Sequence, residues 1–234
     1  MRVFFFPGFA EDEAVLRPLI QEFAASNETI YVDYQHFLDT FLDKPMNMPD
    51  FVQQLSSKYY IHENDMLIGH SFGGWVAAHI HQQYNCPTVI IGSFTDNQHV
   101  IRRVFMFSKF AQYLTKKGLF KSKWIHKFVR RRYKERPSAP AIEACIQVMK
   151  TWKDHHLHQI SMLIKAHPPL PYQISPLLRI HGTNDEVISP PSVFYHKIED
   201  GDHHIQYTHA KEIYALVQKW EKNGYEVEIE VKNS

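Results

Sequence analysis

The pattern Gly69-x-Ser71-x-Gly73 is the part of this 234-residue chain with the most evident potential for chemistry. A serine with glycines two residues before and after it has the spacing of a nucleophile elbow, a strained turn between a strand and a helix. The strand and helix pass so close together there that the flanking residues must be small. Apolar residues 66–68 precede the turn and helix-forming residues 75–78 follow it, as this motif requires.

Length and composition are those of one ordinary globular domain, with 44% hydrophobic and 22% charged residues over 1–234. No apolar run approaches the ~18 residues of a membrane span, so we expect no stable membrane insertion. The N-terminal apolar run is broken by Pro7 and Gly8, so we expect no signal peptide and a cytoplasmic location. Cys86 and Cys145 are expected to be reduced, buried and inert.

Charge is distributed unevenly along the chain. Between Arg102 and Arg136 there are 13 Lys or Arg residues and one acid, Glu135, which gives this segment a net charge of +12. The whole chain carries only +1, so the remainder carries −11. The basic segment is therefore expected to differ in role from the rest of the chain.

Predicted strands and helices alternate at both ends of the chain, which favours a mostly parallel sheet covered on both faces. Residues 33–47 are predicted to be a loop, and residues 94–171 a helical, basic insertion. We expect this insertion to cover the carboxyl ends of the strands, where open α/β sheets bind ligands. The predicted strands are 2–6, 29–32, 65–69, 88–91, 177–181 and 196–199, and the predicted helices are 12–25, 49–60, 72–84 and 208–223.

Two downstream segments, 179–188 and 199–205, together with the serine turn, resemble the α/β-hydrolase superfamily in chain order. The resemblance covers about residues 1–93 and 172–223 and does not extend to the insertion. It implies the α/β-hydrolase fold, a mostly parallel sheet with helices on both faces and a helical lid insertion.

The same resemblance implies a set of catalytic residues. Ser71 would be the nucleophile, His203 the general base, and Asp185 the acid that orients the histidine. His204 is an alternative base, although Ala210 lies seven residues after His203, as the superfamily's closing pattern requires. An alternative acid is Asp96, just past the strand that follows the serine turn.

An oxyanion hole needs two backbone N–H groups. The resemblance implies those of Phe72, directly after the serine, and Phe9, in the loop after the first strand. Pro7-Gly8-Phe9 departs from the His-Gly that members of the superfamily commonly have there, which leaves the aim of this loop open.

Residues 121–132 are predicted to form an amphipathic helix with its cations on one face. The opposite face would hold four apolar residues, Trp124, Ile125, Phe128 and Val129. The basic face could be merely solvated, meet an anionic substrate group, or meet a membrane surface. Nucleic acid is not expected as a partner, because the basic run is local and no recognition motif accompanies it.

The 16 histidines suggest a metal site, but their spacing does not. His155, His156 and His158, like the pair His79 and His81, lack the i, i+4 arrangement with a nearby glutamate that is typical of a zinc hydrolase helix. We therefore expect no metal and no cofactor.

The chain ends in an alternating apolar and charged segment, residues 225–232. This pattern is typical of a half-exposed strand, which could extend a sheet edge or pair between subunits. A frayed tail fits equally, and neither a function nor an oligomeric state is predicted from it.

The function expected from these residues is a serine hydrolase that cleaves a carboxylic ester or thioester through an acyl-enzyme. Its substrate would be a small molecule, and the basic segment is compatible with an anionic one. Two alternatives remain, a non-hydrolytic enzyme of the lyase type and a non-catalytic binding protein on the same scaffold, because a fold does not fix a reaction.

Overall fold

Six parallel strands form the centre of the computed structural model, which describes residues 1–39, 47–95, 121–165 and 177–226. Their order across the sheet is β2-β1-β3-β4-β5-β6. Every pair of neighbours is parallel, as the alternation of strands and helices predicted. The strands are β1 (Arg2–Phe6), β2 (Glu28–Tyr31), β3 (Met66–His70), β4 (Thr88–Ile91), β5 (Leu177–Gly182) and β6 (His196–Ile198).

Within the described residues, three of the four helices in the first half of the chain agree closely with the predicted ones. Asp12 caps the first helix by accepting a hydrogen bond from the Ala14 N–H at 3.0 Å, and the helix after Ser71 has the predicted bounds. Residues 227–234, which include most of the alternating C-terminal segment, lie outside the described residues. The helices are α1 (Glu13–Ala24), α2 (Tyr34–Leu38), α3 (Met48–Tyr59), α4 (Phe72–Tyr84), α5 (Lys123–Tyr133), α6 (Ala139–Thr151), α7 (Asp154–Lys165), α8 (Ile205–Thr208) and α9 (Ala210–Lys222).

Both faces of the sheet are buried, which explains why its strands are nearly continuous in apolar residues. Because side chains alternate along a strand, Val3 and Phe5 of β1 pack on one face with α1 and α9. Phe4 and Phe6 pack on the other face with α3 and α4. The sheet is therefore the middle layer of three.

The prediction of a loop over residues 33–47 is wrong for its first part, where α2 forms. Tyr34, Phe37 and Leu38 are all buried in the core beside α3. Burial of three large side chains at helical spacing stabilises this single turn, although no strong helix signal marks it in the sequence. Residues 40–46 lie outside the described part.

Three helices, α5 to α7, occupy the described residues between β4 and β5, where a helical insertion was predicted. The predicted apolar face of α5 is divided: Trp124 is 83% exposed and Phe128 is 67% exposed, while Ile125 and Val129 are partly buried. His126 and Tyr133 take the most buried positions. The buried side of α5 is therefore centred on His126 and Tyr133, and Trp124 and Phe128 lie on the solvent side. None of the helices in the described ranges is long and apolar enough to span a bilayer.

Both cysteines are free and buried, as predicted. Burial raises the pKa of the Cys86 thiol to about 12, so it stays protonated and unreactive at neutral pH. The pKa of Cys145 is also raised by burial.

The close approach of β1, β3 and α4 accounts for the two glycines around Ser71. A Cβ atom on Gly69 would overlap the backbone of Gly73, and one on Gly73 would overlap the backbone of Phe6. The start of α4 therefore lies directly against the ends of both strands, and this contact fixes the height of Ser71 above the sheet.

We expect Gly73→Ala to lower the free energy of unfolding by about 1–3 kcal/mol, because the added methyl must displace the backbone of β1. Urea denaturation measures this change. Gly224→Asn is the matched control, since its site has a left-handed φ of 66° and open space around it, and a change within ~0.5 kcal/mol is expected. A Gly73→Ala protein as stable as the wild type would contradict the close approach.

Candidate active site

Ser71 lies at the carboxyl end of β3 and directly precedes α4. Its backbone has φ 51° and ψ −118°, a strained conformation for a residue with a side chain. The Ser71 carbonyl accepts hydrogen bonds from the Gly74 N–H at 3.1 Å and the Ser93 hydroxyl at 2.6 Å, and the Ser71 N–H donates to the Ile91 carbonyl at 3.0 Å. These bonds hold the strained turn and leave the hydroxyl pointing away from the sheet edge.

His203 connects Ser71 to Asp185. Its Nδ1 lies 2.9 Å from Asp185 Oδ2, and its Nε2 lies 3.1 Å from Ser71 Oγ. A carboxylate can only accept, so Nδ1–H donates to it and the neutral ring presents a bare Nε2 to the serine. Ser71 Oγ–H then donates to Nε2. The three residues, which lie far apart in the sequence, form one hydrogen-bonded chain.

Asp185 is held by its own loop, which follows β5. Its Oδ1 accepts from the N–H groups of Val187 at 2.7 Å and Ile188 at 2.9 Å, which leaves Oδ2 for His203. Burial alone would raise the pKa of Asp185, but His203 and these hydrogen bonds lower it to about 2. The carboxylate is therefore ionised at neutral pH. The alternative acid, Asp96, lies outside the described residues.

The environment of His203 keeps its ring neutral. Burial lowers its pKa and Asp185 raises it, while the neighbouring His70 and His204 lower it further, so the pKa lies below the usual 6.5. A neutral ring near neutral pH is the form able to accept a proton.

His204, the alternative base, has different partners. Its Nδ1 lies 3.4 Å from Glu11 Oε1, and its backbone N–H donates to Asp202 Oδ1 at 2.9 Å. Within the described residues, His203 is the histidine that contacts both Ser71 and Asp185. The geometry therefore favours His203.

A second buried acid and histidine lie beside this chain. Glu11 Oε1 is 2.8 Å from His70 Nδ1, and both side chains are almost fully buried. His70 Nε2 is 2.7 Å from the backbone carbonyl of His203. Each ring nitrogen faces an acceptor, the Gln206 amide nitrogen also lies 3.1 Å from Nδ1, and the buried Glu11 carboxylate favours the imidazolium form of His70. Burial lowers the pKa of His70, but the Glu11 carboxylate outweighs burial and raises it overall.

Glu11 also holds the loop that follows β1. The Gly8 N–H donates to Glu11 Oε2 at 2.6 Å, and the Gln206 amide donates to Oε1 at 3.2 Å. Burial would raise the pKa of Glu11, yet His70 and His204 lower it well below its usual range, so this carboxylate is ionised. Glu11 and His70 thus join the loops after β1, β3 and β6.

The two predicted oxyanion donors lie on the same pocket as Ser71 and His203. Phe72 begins α4 and Phe9 follows the loop held by Glu11. Within the described ranges, neither backbone N–H donates to a protein acceptor. Both N–H groups are therefore without a protein acceptor in this part of the chain, and their role as oxyanion donors stays a prediction.

The pocket beside Ser71 has a volume of about 220 Å³ and is mostly apolar. Side chains from α5, α6, α7 and the loop after β5 form its walls, so the helices between β4 and β5 cover the end of the sheet. The apolar lining residues are Phe9, Ala10, Phe72, Phe94, Ile125, Val129, Tyr133, Ile142, Cys145, Met149, Ile164, Val187 and Ile188.

Comparison with known proteins identifies the fold. No protein-family model and no curated protein matches the sequence. Solved structures do match: an esterase from Thermogutta terrifontis is 14% identical over 97% of this chain and 91% of its own, with a TM-score of 0.68. A variant epoxide hydrolase from Bacillus megaterium is 13% identical over 94% and 93%, with a TM-score of 0.70. A hydrolase from Oleispira antarctica is 15% identical over 95% and 91%, with a TM-score of 0.68.

The chain has the α/β-hydrolase fold. This fold confirms the architecture predicted from the sequence, a mostly parallel sheet with helices on both faces. At such low identity, the matches carry the fold alone.

Three of the arginines in the basic segment have carboxylate partners in the protein. Arg130 pairs with Glu143 at 2.7 Å, and both Arg132 and Arg136 pair with Glu186, at 2.5 and 3.0 Å. None of these arginines lines the pocket beside Ser71. In this α/β-hydrolase fold, the paired cations fix α5 to α6 and to the loop after β5.

Two groups of described side chains have metal-ligand spacing. One is Asp39 with His155 and His156, where the Lys153 ammonium already lies 2.8 Å from the carboxylate. The proximity of Asp39 to His155 and His156 was not predicted from the sequence, because Asp39 is remote from these histidines in the chain.

The second group is Glu11, Cys145 and His204. Its carboxylate is already bonded to Gly8 and His70, and its thiol stays protonated.

Glu11, His70 and Gln206 were not among the site residues predicted from the sequence. A signal for the first two was present, since each lies just past or at the end of a predicted strand, and parallel strands end at the same edge of a sheet. For Gln206 we find no such signal.

We expect His70→Gln to raise the pKa of His203. The substitution removes a positive charge that disfavours protonation of His203 and leaves the Glu11 carboxylate, which favours it, so both effects act in the same direction. NMR titration of the histidine rings measures the change. His79→Gln, a buried histidine of α4 outside this cluster, should leave the pKa of His203 unchanged. A His203 pKa that is equal or lower in His70→Gln would refute the charge on His70.

Proposed function

We propose that this protein is a serine hydrolase that cleaves a carboxylic ester or thioester, with Ser71 as the nucleophile. The observation that carries this proposal is the chain of hydrogen bonds from Ser71 through His203 to Asp185 at an apolar pocket. The shared fold with an esterase and other hydrolases supports it at the level of architecture.

The geometry suits acyl transfer in two steps. Ser71 Oγ attacks the carbonyl carbon while its proton moves to His203 Nε2, and the N–H groups of Phe9 and Phe72 donate to the negative oxygen. The bond to the leaving group then breaks, and the leaving oxygen or sulfur takes the proton from His203. Water attacks the acyl-enzyme in the same way, which releases the acid and restores Ser71.

Asp185 stays ionised throughout this cycle. Its carboxylate fixes the ring tautomer and stabilises the imidazolium that forms at His203. The lowered pKa of His203 means that the base is neutral without needing high pH. The reaction rate should therefore fall only as the pH drops through that lowered pKa, below 6.5.

The pocket favours an apolar group on one side of the scissile bond. Its walls come almost entirely from aliphatic, aromatic and sulfur-containing side chains, and its volume of about 220 Å³ suits a short or medium chain. Glu11 is the one carboxylate among the lining residues, and His70 balances its charge. We therefore propose an uncharged acyl or alcohol group at this position.

A fluorophosphonate probe tests the nucleophile without knowledge of the substrate. We expect the folded wild type to be labelled, because only an activated serine attacks phosphorus at a useful rate, and Ser71→Ala to be unlabelled. Labelling is read from the protein mass. Ser56→Ala removes a buried hydroxyl that does not line the pocket and should be labelled like the wild type. An unlabelled wild type, or a labelled Ser71→Ala, would exclude the proposed nucleophile.

Val129→Trp tests the acyl pocket. Filling the pocket with an indole ring should lower kcat/KM for p-nitrophenyl hexanoate relative to the acetate by ~10-fold or more, since single methylenes in an apolar pocket are worth that much. Phe128→Trp is the matched control, because the neighbouring side chain on the same helix is exposed. An equal loss of kcat/KM for both esters would show that the acyl chain of the substrate does not bind beside Val129.

A further inference from the structure

One surface of α5 combines exposed aromatic side chains with exposed cations. Trp124 and Phe128, one turn apart, are two of the largest exposed apolar side chains in the described ranges. Lys127 and Arg131 are exposed beside them, and Lys123 begins the same row. We call these five residues the outer face of α5.

Helix geometry separates the outer face from the buried one. At about 100° per residue, Lys127, Arg131, Trp124 and Phe128 fall within roughly one third of the helix circumference. His126 and Tyr133 lie on the opposite side and are buried. The outer face is therefore continuous, with two aromatic rings set among three cations.

In the described part of the chain, the cations of the outer face differ from their neighbours in having no ion-pair partner. Within the described residues, Lys123, Lys127 and Arg131 make no ion pair and no side-chain hydrogen bond. Arg130 and Arg132, on the flanks of the same helix, are bound by Glu143 and Glu186. The helix itself contains no acidic residue. Positive charge is thus concentrated around the two exposed rings.

We propose that the outer face of α5 docks on the surface of an anionic lipid bilayer. Trp and Phe rings enter the headgroup region, where aromatic side chains are favoured, and Lys and Arg attract the anionic headgroups. The helix lies in the plane of the surface. This agrees with the expectation of no stable insertion, because one helical face enters the interface and no segment spans it.

Lipid fits this surface better than nucleic acid does. The patch is confined to one helix, while the chain outside residues 102–136 carries −11 and would repel an extended polyanion. A single amphipathic helix is sufficient for an interfacial contact.

Docking would also orient the pocket. Ile125, Val129 and Tyr133, on the other side of α5, line the cavity beside Ser71. A docked α5 therefore places one wall of the pocket next to the bilayer, within reach of apolar esters dissolved there. This consequence, unlike the docking, rests on the proposed function.

Sedimentation with lipid vesicles tests the docking, using Ser71→Ala so that hydrolysis plays no part. We expect binding to phosphatidylcholine vesicles that contain phosphatidylserine, weakening with added salt, and little binding to phosphatidylcholine alone. The double variant Lys127→Glu, Arg131→Glu should bind at least ~25-fold more weakly, because each cation near an anionic surface is worth roughly fivefold. Trp124→Ser should also weaken binding, since it removes the larger ring.

Matched controls separate this face from general charge and hydrophobicity. Lys211→Glu changes an exposed lysine of α9, and Tyr60→Asn removes a ring that is 79% exposed at the end of α3. Both should bind vesicles like the parent. Equal binding to neutral vesicles, no binding to anionic ones, or unchanged binding of the outer-face variants would overturn the proposal. Displacement of bound anionic vesicles by a single-stranded oligonucleotide at lower concentration would overturn it in favour of nucleic acid.

Discussion

The buried ion pair between Glu11 and His70 is the interaction on which the candidate site depends. Glu11 accepts from Gly8 in the loop after β1, while His70, at the end of β3, donates to the backbone of His203 in the loop after β6. Three loops are thereby joined by directional bonds. Removing one partner of a buried ion pair costs about 3–5 kcal/mol, because the other charge stays buried without compensation. An apolar pair could fill the same volume, but it would not orient His203 toward Ser71.

The same pair has an electrostatic consequence. The His70 and His203 rings lie 4.7 Å apart, so the positive charge on His70 opposes a second positive charge on His203. Asp185 acts in the opposite direction, favouring the protonated form. The proposed reaction would need both effects, since its base must be neutral before the reaction and stable as a cation during it. Fixed charges on either side of His203 provide that balance without any rearrangement.

Local patterns predicted much of this structure, and contacts between distant segments were the part that they could not predict. The strand and helix around Ser71 follow from apolar runs and glycine spacing, and Asp185 and His203 were found from segments that resemble a known superfamily. The contact between Glu11 and His70 depends on the register that places Phe6 beside Gly69, which no local pattern encodes. For α5, amphipathic spacing gave the helix, but its rotation depends on what buries His126 and Tyr133. The burial of α2 depends likewise on tertiary contacts.

The orientation of α5 explains why its two aromatic residues remain in water. Ion pairs on both flanks, from Arg130 to Glu143 and from Arg132 to Glu186, act with the burial of Tyr133 to fix the helix against its neighbours. Exposed ion pairs contribute little singly, so burial supplies most of the stability and the pairs define the rotation. With the rotation fixed, Trp124 and Phe128 cannot turn inward without exposing the residues that line the pocket. Their exposure therefore follows from the same packing that forms the pocket wall, and each face of the helix constrains the other.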